Sequence, residues 1–223
     1  MPLTEQQTAP TDTHDVIDPA ILYLGTPVVL ISSENPDGST NLAPMSSAWW
    51  LGHLGVLGLA SRSQTTRNIL RTGECVLNLP SADQVDAVDR LALTTGAHPM
   101  SDFKKANGYR YEPDKFGTAG LSPASSITVR PERAAECPVN LEAALVAAHP
   151  LGGDDPQDRG SVLAIEVRVT AVHVHPGIRL AGHPNRIDPG RWRPLIMSFQ
   201  HFYGLGPELR ASTLATIPEE SYR

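Results

Sequence analysis

The run from Val162 to Val174, VLAIEVRVTAVHV, is the longest alternation of apolar and polar residues in the chain. A period of two buries one face only in a β-strand, whose successive side chains point to opposite sides. Earlier segments share this character. TPVVLISSENPDGSTNLAPMSSAWW carries a β-branched run, the turn signal Pro36-Asp37-Gly38 and a second run, which together predict a hairpin. Leu54 to Ala60, LGVLGLA, adds a third run in which Gly55 and Gly58 allow close backbone approach. Pro138 to Ala147 is also strand-like, and a break at Gly152-Gly153-Asp154-Asp155 before the 162–174 run reads as a hairpin loop.

Helical signals are fewer. Ser63 is a good N-cap, Thr66, Ile69 and Leu70 fit one short helix, and Gly73 stops it. Glu74 to Leu79 then reads as a strand. Ser81-Ala82-Asp83-Gln84 is a capping box opening a helix through Val85, Val88, Leu91 and Ala92. Residues 96–124 form a long excursion rich in Gly, Pro and charge, with a short helix over Ser101–Asn107 ended by Gly108. Loops of that length in a compact domain are often functional. With no regular βαβ series, the pattern predicts a mainly β fold with flanking helices: an antiparallel, Greek-key-like barrel with helices packed outside. Residues 1–17 read as a flexible polar tail, 18–205 as one domain, and 206–223 as a C-terminal arm.

Composition narrows the function. In 223 residues, 18 Lys+Arg against 24 Asp+Glu leave a net charge of -6, which argues against non-specific nucleic-acid binding. A hydrophobic share of 40% supplies a core, yet no apolar run approaches the ~20 residues of a membrane helix. MPLTEQQTAPTDTHD lacks the basic and apolar regions of a signal peptide, and Cys75 and Cys137 make no disulfide framework. A cytoplasmic, reduced protein is the simplest reading.

Two segments carry candidate chemistry. The strand ending at Ala60 runs into Ser61-Arg62-Ser63-Gln64-Thr65-Thr66-Arg67-Asn68. A helix N-terminus presents unpaired amides and the positive end of a dipole, and here hydroxyls and guanidiniums surround it. Such a place suits a phosphate group, or is simply a capped helix start with solvated arginines. In Asn41-Leu42-Ala43-Pro44-Met45-Ser46-Ser47-Ala48-Trp49-Trp50, Pro44 removes a ladder donor. Small residues on both sides leave backbone groups accessible to a flat heterocycle; a bulged edge strand with its hydroxyls facing water is the alternative. No P-loop, G-x-G-x-x-G, G-x-S-x-G or zinc-ligand pattern is present.

The pairing of GTPVVLIS…PDGSTNLAPMSSAWW with LASRSQTTRNILRTGECVLNLPS resembles the flavin reductase-like family of FMN-binding split-barrel proteins. ECPVNLEAAL and AIEVRVTAVHVH resemble its second half, so the likeness covers roughly residues 21–205. It implies a six-stranded split barrel, a homodimer with flavin near the subunit interface, and an NAD(P)H:flavin oxidoreductase that supplies reduced flavin to a separate monooxygenase. Carried over residue by residue, Asn41, Ala43, Pro44, Met45, Ser46, Ser47 and Ala48 would line the flavin ring. Ser61, Arg62, Ser63, Thr65, Thr66 and Asn68 would hold its ribityl chain and phosphate. The chemistry then belongs to the cofactor, FMN with FAD left open, and no catalytic acid or base is required of the protein. NADH and NADPH are not distinguished. Tightly held FMN acting on an organic substrate, or serving as an electron carrier, are the rival readings.

The remaining tempting residues have quieter readings. His173 and His175 share a strand face near solvent, with no third metal ligand at a recognised spacing. His201 among Phe199, Phe202 and Tyr203 reads as an aromatic anchor or a ring-closing group. His183 sits in a loop that could edge the site. Of Trp49 and Trp50, one belongs to the core or a subunit contact and the other could approach the flavin. Cys75 and Cys137 read as structural, Glu142 as an exposed ion-pair partner, and Lys104, Lys105 and Arg110 as a solvated face or contacts to nicotinamide phosphates.

Overall fold

The computed structural model describes residues 14–154 and 160–222. In chain order the elements are β1 Leu24–Pro27, β2 Val29–Glu34, β3 Thr40–Met45, β4 Ala48–Leu51, β5 Leu54–Ala60, α1 Gln64–Thr72, β6 Glu74–Leu79 and α2 Val85–Asp89. The excursion holds β7 Thr94–Thr95, α3 Asp102–Ala106, β8 Arg110–Tyr111, α4 Lys115–Ala119 and β9 Pro123–Ala124. Then follow β10 Arg133–Ala134, β11 Val139–Pro150, β12 Val162–Val174, β13 Leu195–Ser198 and β14 His201–Gly204.

Seven strands form one antiparallel sheet in the order β3-β2-β6-β11-β12-β5-β4. The hairpins β2–β3, β4–β5 and β11–β12 are thus interleaved out of chain order, as in a Greek key. The two edge strands, β3 and β4, are consecutive in the chain and joined only by Ser46-Ser47. So short a link forces the sheet to curl until its edges nearly meet. No ladder joins these edges; Ser47 instead accepts a bond from the Gly58 amide at 2.7 Å. The barrel is therefore split between β3 and β4.

Curling gives the sheet two buried faces. Val29 and Ile31 of β2 point inward with Leu57, Ile69, Leu77, Ile165 and Val167. Leu30, between them, points outward under α2 and α4 with Leu42, Val88, Leu91, Phe116 and Leu195. The alternation of β12 slips once, and the ladder shows why. Glu142 pairs with Ala171 but Ala143 with Val169, so Thr170 is the extra residue of a bulge.

Several expectations need correction. The helix opened by the capping box at Ser81 and Gln84 ends at Asp89; Leu91 and Ala92 follow in turns, with Leu91 buried and Ala92 exposed. Helix α1 starts at Ser63 and stops at a left-handed Gly73, φ 75°, but buries Thr65, Thr66, Asn68 and Ile69 while Leu70 faces water. Strand β11 continues past Ala147 to Pro150. Asp155 of the hairpin loop and residues 1–13 of the tail lie outside the described residues, while residues 14–17 are exposed.

Glu142 is no exposed ion-pair partner: it is fully buried. Its carboxylate accepts bonds from the amides of Ile127 and Thr128 at 2.8 and 2.6 Å, from the Thr128 hydroxyl at 2.6 Å, and meets His173 Nε2 at 2.6 Å. Burial pushes its pKa up, but the Thr128 hydroxyl, the two amides and His173 together hold it down at about 2. This cluster pins the 125–131 loop to β11 and β12. His175 instead accepts a bond from the Gly177 amide at 3.0 Å, so the two histidines do not converge. Cys75 and Cys137 are buried, and burial pushes both thiols up to about 12. No helix among the described residues is long and apolar enough to cross a membrane.

Candidate functional site

The split opens into a cleft of about 480 Å³. Strand β3 supplies one wall through Asn41, Ala43, Pro44 and Met45, continued by Ser46 and Ser47; Gly58, Leu59 and Ala60 of β5 face them. Pro44 is tolerated because β3 is a sheet edge, and its missing N–H leaves no broken ladder bond. Gly58 is needed here: a Cβ on it would lie 3.1 Å from the Ser47 Cβ.

One end of the cleft is the start of α1. Ser63, Gln64 and Thr65 line it, and first-turn amides have no acceptor within their own helix. Ser63 Oγ caps the Thr66 amide at 3.1 Å. Asn41 Nδ2 donates to Thr65 Oγ1 at 3.2 Å, tying the strand wall to the helix start. Gly96 presses on the same group: a Cβ there would stand 2.5 Å from Asn41 Oδ1.

The excursion folds over this end as a roof. Thr94, Thr95, Gly96, Tyr109 and two lysines line the cleft from it. Lys104 Nζ donates to Thr95 Oγ1 at 2.6 Å and stands 5.3 Å from the centre of the Tyr109 ring. Burial, and then the charge of Arg67, lower its pKa. Lys115 is 2% exposed and donates to Thr94 Oγ1. Burial first, and the like charge of Lys104 second, bring its pKa down to about 8. Neither lysine has a carboxylate within ion-pair distance among the described residues. Two cations held over a helix N-terminus make a strongly anion-attracting pocket at one end of a narrow, mostly apolar slot.

A family model described as a flavin reductase like domain matches residues 22–206. The chain belongs to the flavin reductase-like family. It is 37% identical over 193 residues to the uncharacterized protein YdfE of Bacillus subtilis (strain 168), covering 86% of this chain and 90% of that one. Among solved structures it is similar to nitrilotriacetate monooxygenase component B from Bacillus cereus, at 20% identity and TM-score 0.68 over 95% of this chain and 98% of that one. It is also similar to the flavoredoxin of Desulfovibrio vulgaris (Miyazaki F), at 18% identity and TM-score 0.70 over 91% and 98% of the two chains. A split barrel domain protein from Shewanella frigidimarina NCIMB 400 matches at 18% identity and TM-score 0.62, over 84% of this chain and 86% of that one. The mainly β, antiparallel split-barrel fold is thus shared with these structures.

Of the residues that the flavin reductase-like resemblance marks, Asn41, Ala43, Pro44, Met45, Ser46, Ser47, Ser63 and Thr65 come together on the cleft wall. Five do not line it. Ala48 is buried in the inner core. Ser61 pairs its amide with Ser161, and Arg62 is exposed beside the helix start. Thr66 turns inward, donating to the Ala60 carbonyl at 2.8 Å. Asn68 donates to Ser33 Oγ and Asn35 Oδ1 at 3.1 and 2.9 Å and so fastens α1 to the end of β2. Trp49 is exposed, Trp50 packs against the inner core, and neither lines the cleft. His183 and His201 are exposed away from it. Lys105 pairs with Asp102 on the solvent side, as a solvated face requires, whereas Lys104 turns into the cleft. Lys115, Thr94, Thr95 and Gly96 had no local signal: each acquires its place from the folding of the excursion over the split.

Proposed function

We propose that the cleft holds FMN and that the protein is an NAD(P)H:flavin oxidoreductase. The observation that carries this reading is the joining of a narrow backbone-walled slot to an end pocket with two unbalanced lysines. A flat uncharged ring on a chain ending in a dianionic phosphate has that same division. Asn41, Ala43, Pro44, Met45, Ser46 and Ser47 would lie along the ring, and the α1 amides, Ser63, Thr65, Lys104 and Lys115 would meet the phosphate. The walls at Gly58 and Gly96, where a Cβ would intrude, leave the depth such a ring needs.

When bound, FMN would supply acceptance of a hydride from a reduced nicotinamide. The chain's own part is to hold both partners, keep water from the slot and neutralise the phosphate. No catalytic acid or base is assigned. Delivery of reduced flavin to a separate monooxygenase fits this role and parallels the nitrilotriacetate monooxygenase component B to which the fold is similar. We also place the protein in a homodimer, supported by the exposed apolar residues Trp49, Leu51 and Val172 on the outer sheet; sedimentation should give about twice 24.0 kDa.

The test is an absorbance titration with FMN followed by anaerobic NADH or NADPH. Perturbed flavin bands that then bleach are expected. Bound flavin that neither donor reduces would overturn the reductase reading, and absence of flavin binding would overturn the site.

A further inference from the structure

Two hollows continue the cleft on the side of α2. The first, about 400 Å³, shares Pro44, Met45, Ser46 and Tyr109 with the cleft. Its other walls are apolar, from Val28, Val88, Leu93, Met197 and Phe202, and its one charged lining residue is Asp89. The second hollow shares Asp89, Ala92 and Leu93 with the first and ends at Arg90, Arg110 and Thr118. The molecule thus presents three concavities in series: the slot with its cationic end, an apolar chamber and an arginine shelf.

The shelf is pre-set for an anion. Arg90 donates Nε to the Thr118 carbonyl at 3.1 Å and Nη2 to the Ala119 carbonyl, both uncharged acceptors. It is in no ion pair among the described residues. Arg110 has only a loose partner, Glu112, at 3.9 Å. A guanidinium fixed by backbone carbonyls spends little conformational freedom on meeting a ligand, and its fork matches phosphate oxygens.

We propose that the chamber and shelf are the berth of the reducing nicotinamide dinucleotide. The reduced nicotinamide, uncharged and flat, occupies the chamber against the Pro44–Met45 wall it shares with the slot. The diphosphate rests on Arg90 and Arg110, and Asp89 between them accepts bonds from ribose hydroxyls. This rests on the reductase reading above. FAD also carries a diphosphate. Its link from ring to diphosphate is a polar ribityl chain, which an apolar chamber would desolvate unfavourably, so the nicotinamide dinucleotide is the better fit.

The test uses the FMN-loaded protein and the variants Arg110→Gln and Arg90→Lys, the second keeping charge where the side chain also ties α4. Binding of unreactive NAD⁺ is measured by calorimetry. Anaerobic flavin reduction is compared for NADH and for N-benzyl-1,4-dihydronicotinamide, which carries no phosphate. Loss of one charge-assisted contact should weaken NAD⁺ about tenfold and raise the half-saturating NADH concentration about tenfold relative to the small donor. Unchanged NAD⁺ and NADH behaviour would overturn the berth, as would an equal fall with both donors. Weakened FAD binding with FMN binding intact would reassign the shelf to FAD and overturn it as well. If neither donor reduces the wild-type flavin, the reductase reading fails and the berth with it. If both do and the variants match wild type, only the berth fails.

Discussion

Replacing Lys115 by Met tests the chemistry of the cleft most directly. The side chain is 2% exposed, donates to Thr94 Oγ1, and faces the like charge of Lys104. Its pKa falls from 10.5 to about 8, chiefly through burial. In the unfolded chain the lysine keeps its proton up to the ordinary value, so between these two pH values the unfolded state binds more protons. Stability must therefore rise with pH from about 8 to about 10.5, and the full penalty is present below about 8. At roughly 1.4 kcal/mol per pH unit the penalty is about 3 kcal/mol. Met removes it and forfeits one hydrogen bond worth about 1 kcal/mol, while Thr94 keeps its bond to the Leu91 carbonyl. The flavin-free variant should be about 2 kcal/mol more stable than wild type at neutral pH. The same change should weaken FMN roughly tenfold to a hundredfold, because a charge-assisted contact worth about 1.5–3 kcal/mol is lost. Urea unfolding of the flavin-free proteins near pH 7 and near pH 10, with an FMN titration, reads both effects. A Met variant less stable than wild type, or one that binds FMN as tightly, would refute the reasoning.

Adjacent threonines should separate binding from folding. Thr65→Ala should weaken FMN about tenfold, whereas Thr66→Ala should lower unfolding stability by about 1–2 kcal/mol through its lost bond to Ala60, as fluorescence titration and thermal melts would show. Glu142 holds its carboxylate down at about 2, so its contribution is present above pH 4.5 and is lost as pH falls toward 2. Glu142→Gln should cost about 2 kcal/mol at neutral pH, allowing for solvent near the loop, and should flatten the acid limb of the stability profile. Gly96→Ala should push Asn41 from Thr65, lowering FMN affinity at least severalfold in the same titration, since a Cβ would stand 2.5 Å from Asn41 Oδ1.

What local order could determine is visible in the strands and caps. The alternations around Val29–Glu34 and Val162–Val174, the turn at Pro36-Asp37-Gly38, and the Ser63 and Gly73 caps depend on near neighbours, and the structure keeps them. The resemblance of Asn41–Ser47 and Ser63–Thr65 to family motifs placed those residues on one cleft for the same reason: each is a short continuous segment. Local order failed where a side chain's fate hangs on distant partners. Thr66 and Asn68 look as available as Thr65, yet the packing of α1 against β2 and the end of β5 turns them inward. Glu142 looks like a surface residue of an alternating strand until the 125–131 loop covers it with two amides and a hydroxyl. Lys104 and Lys115 belong to a segment without periodicity, and only closure of the barrel, which sets β3 beside α1, gives them a cleft to roof. The sequence alone determined the strands, the helix ends and the two short motifs, because these rest on contacts a few residues apart. The tertiary structure alone decided which charges face the cleft, because desolvation and Coulomb energies depend on distances between segments that only the closed sheet establishes.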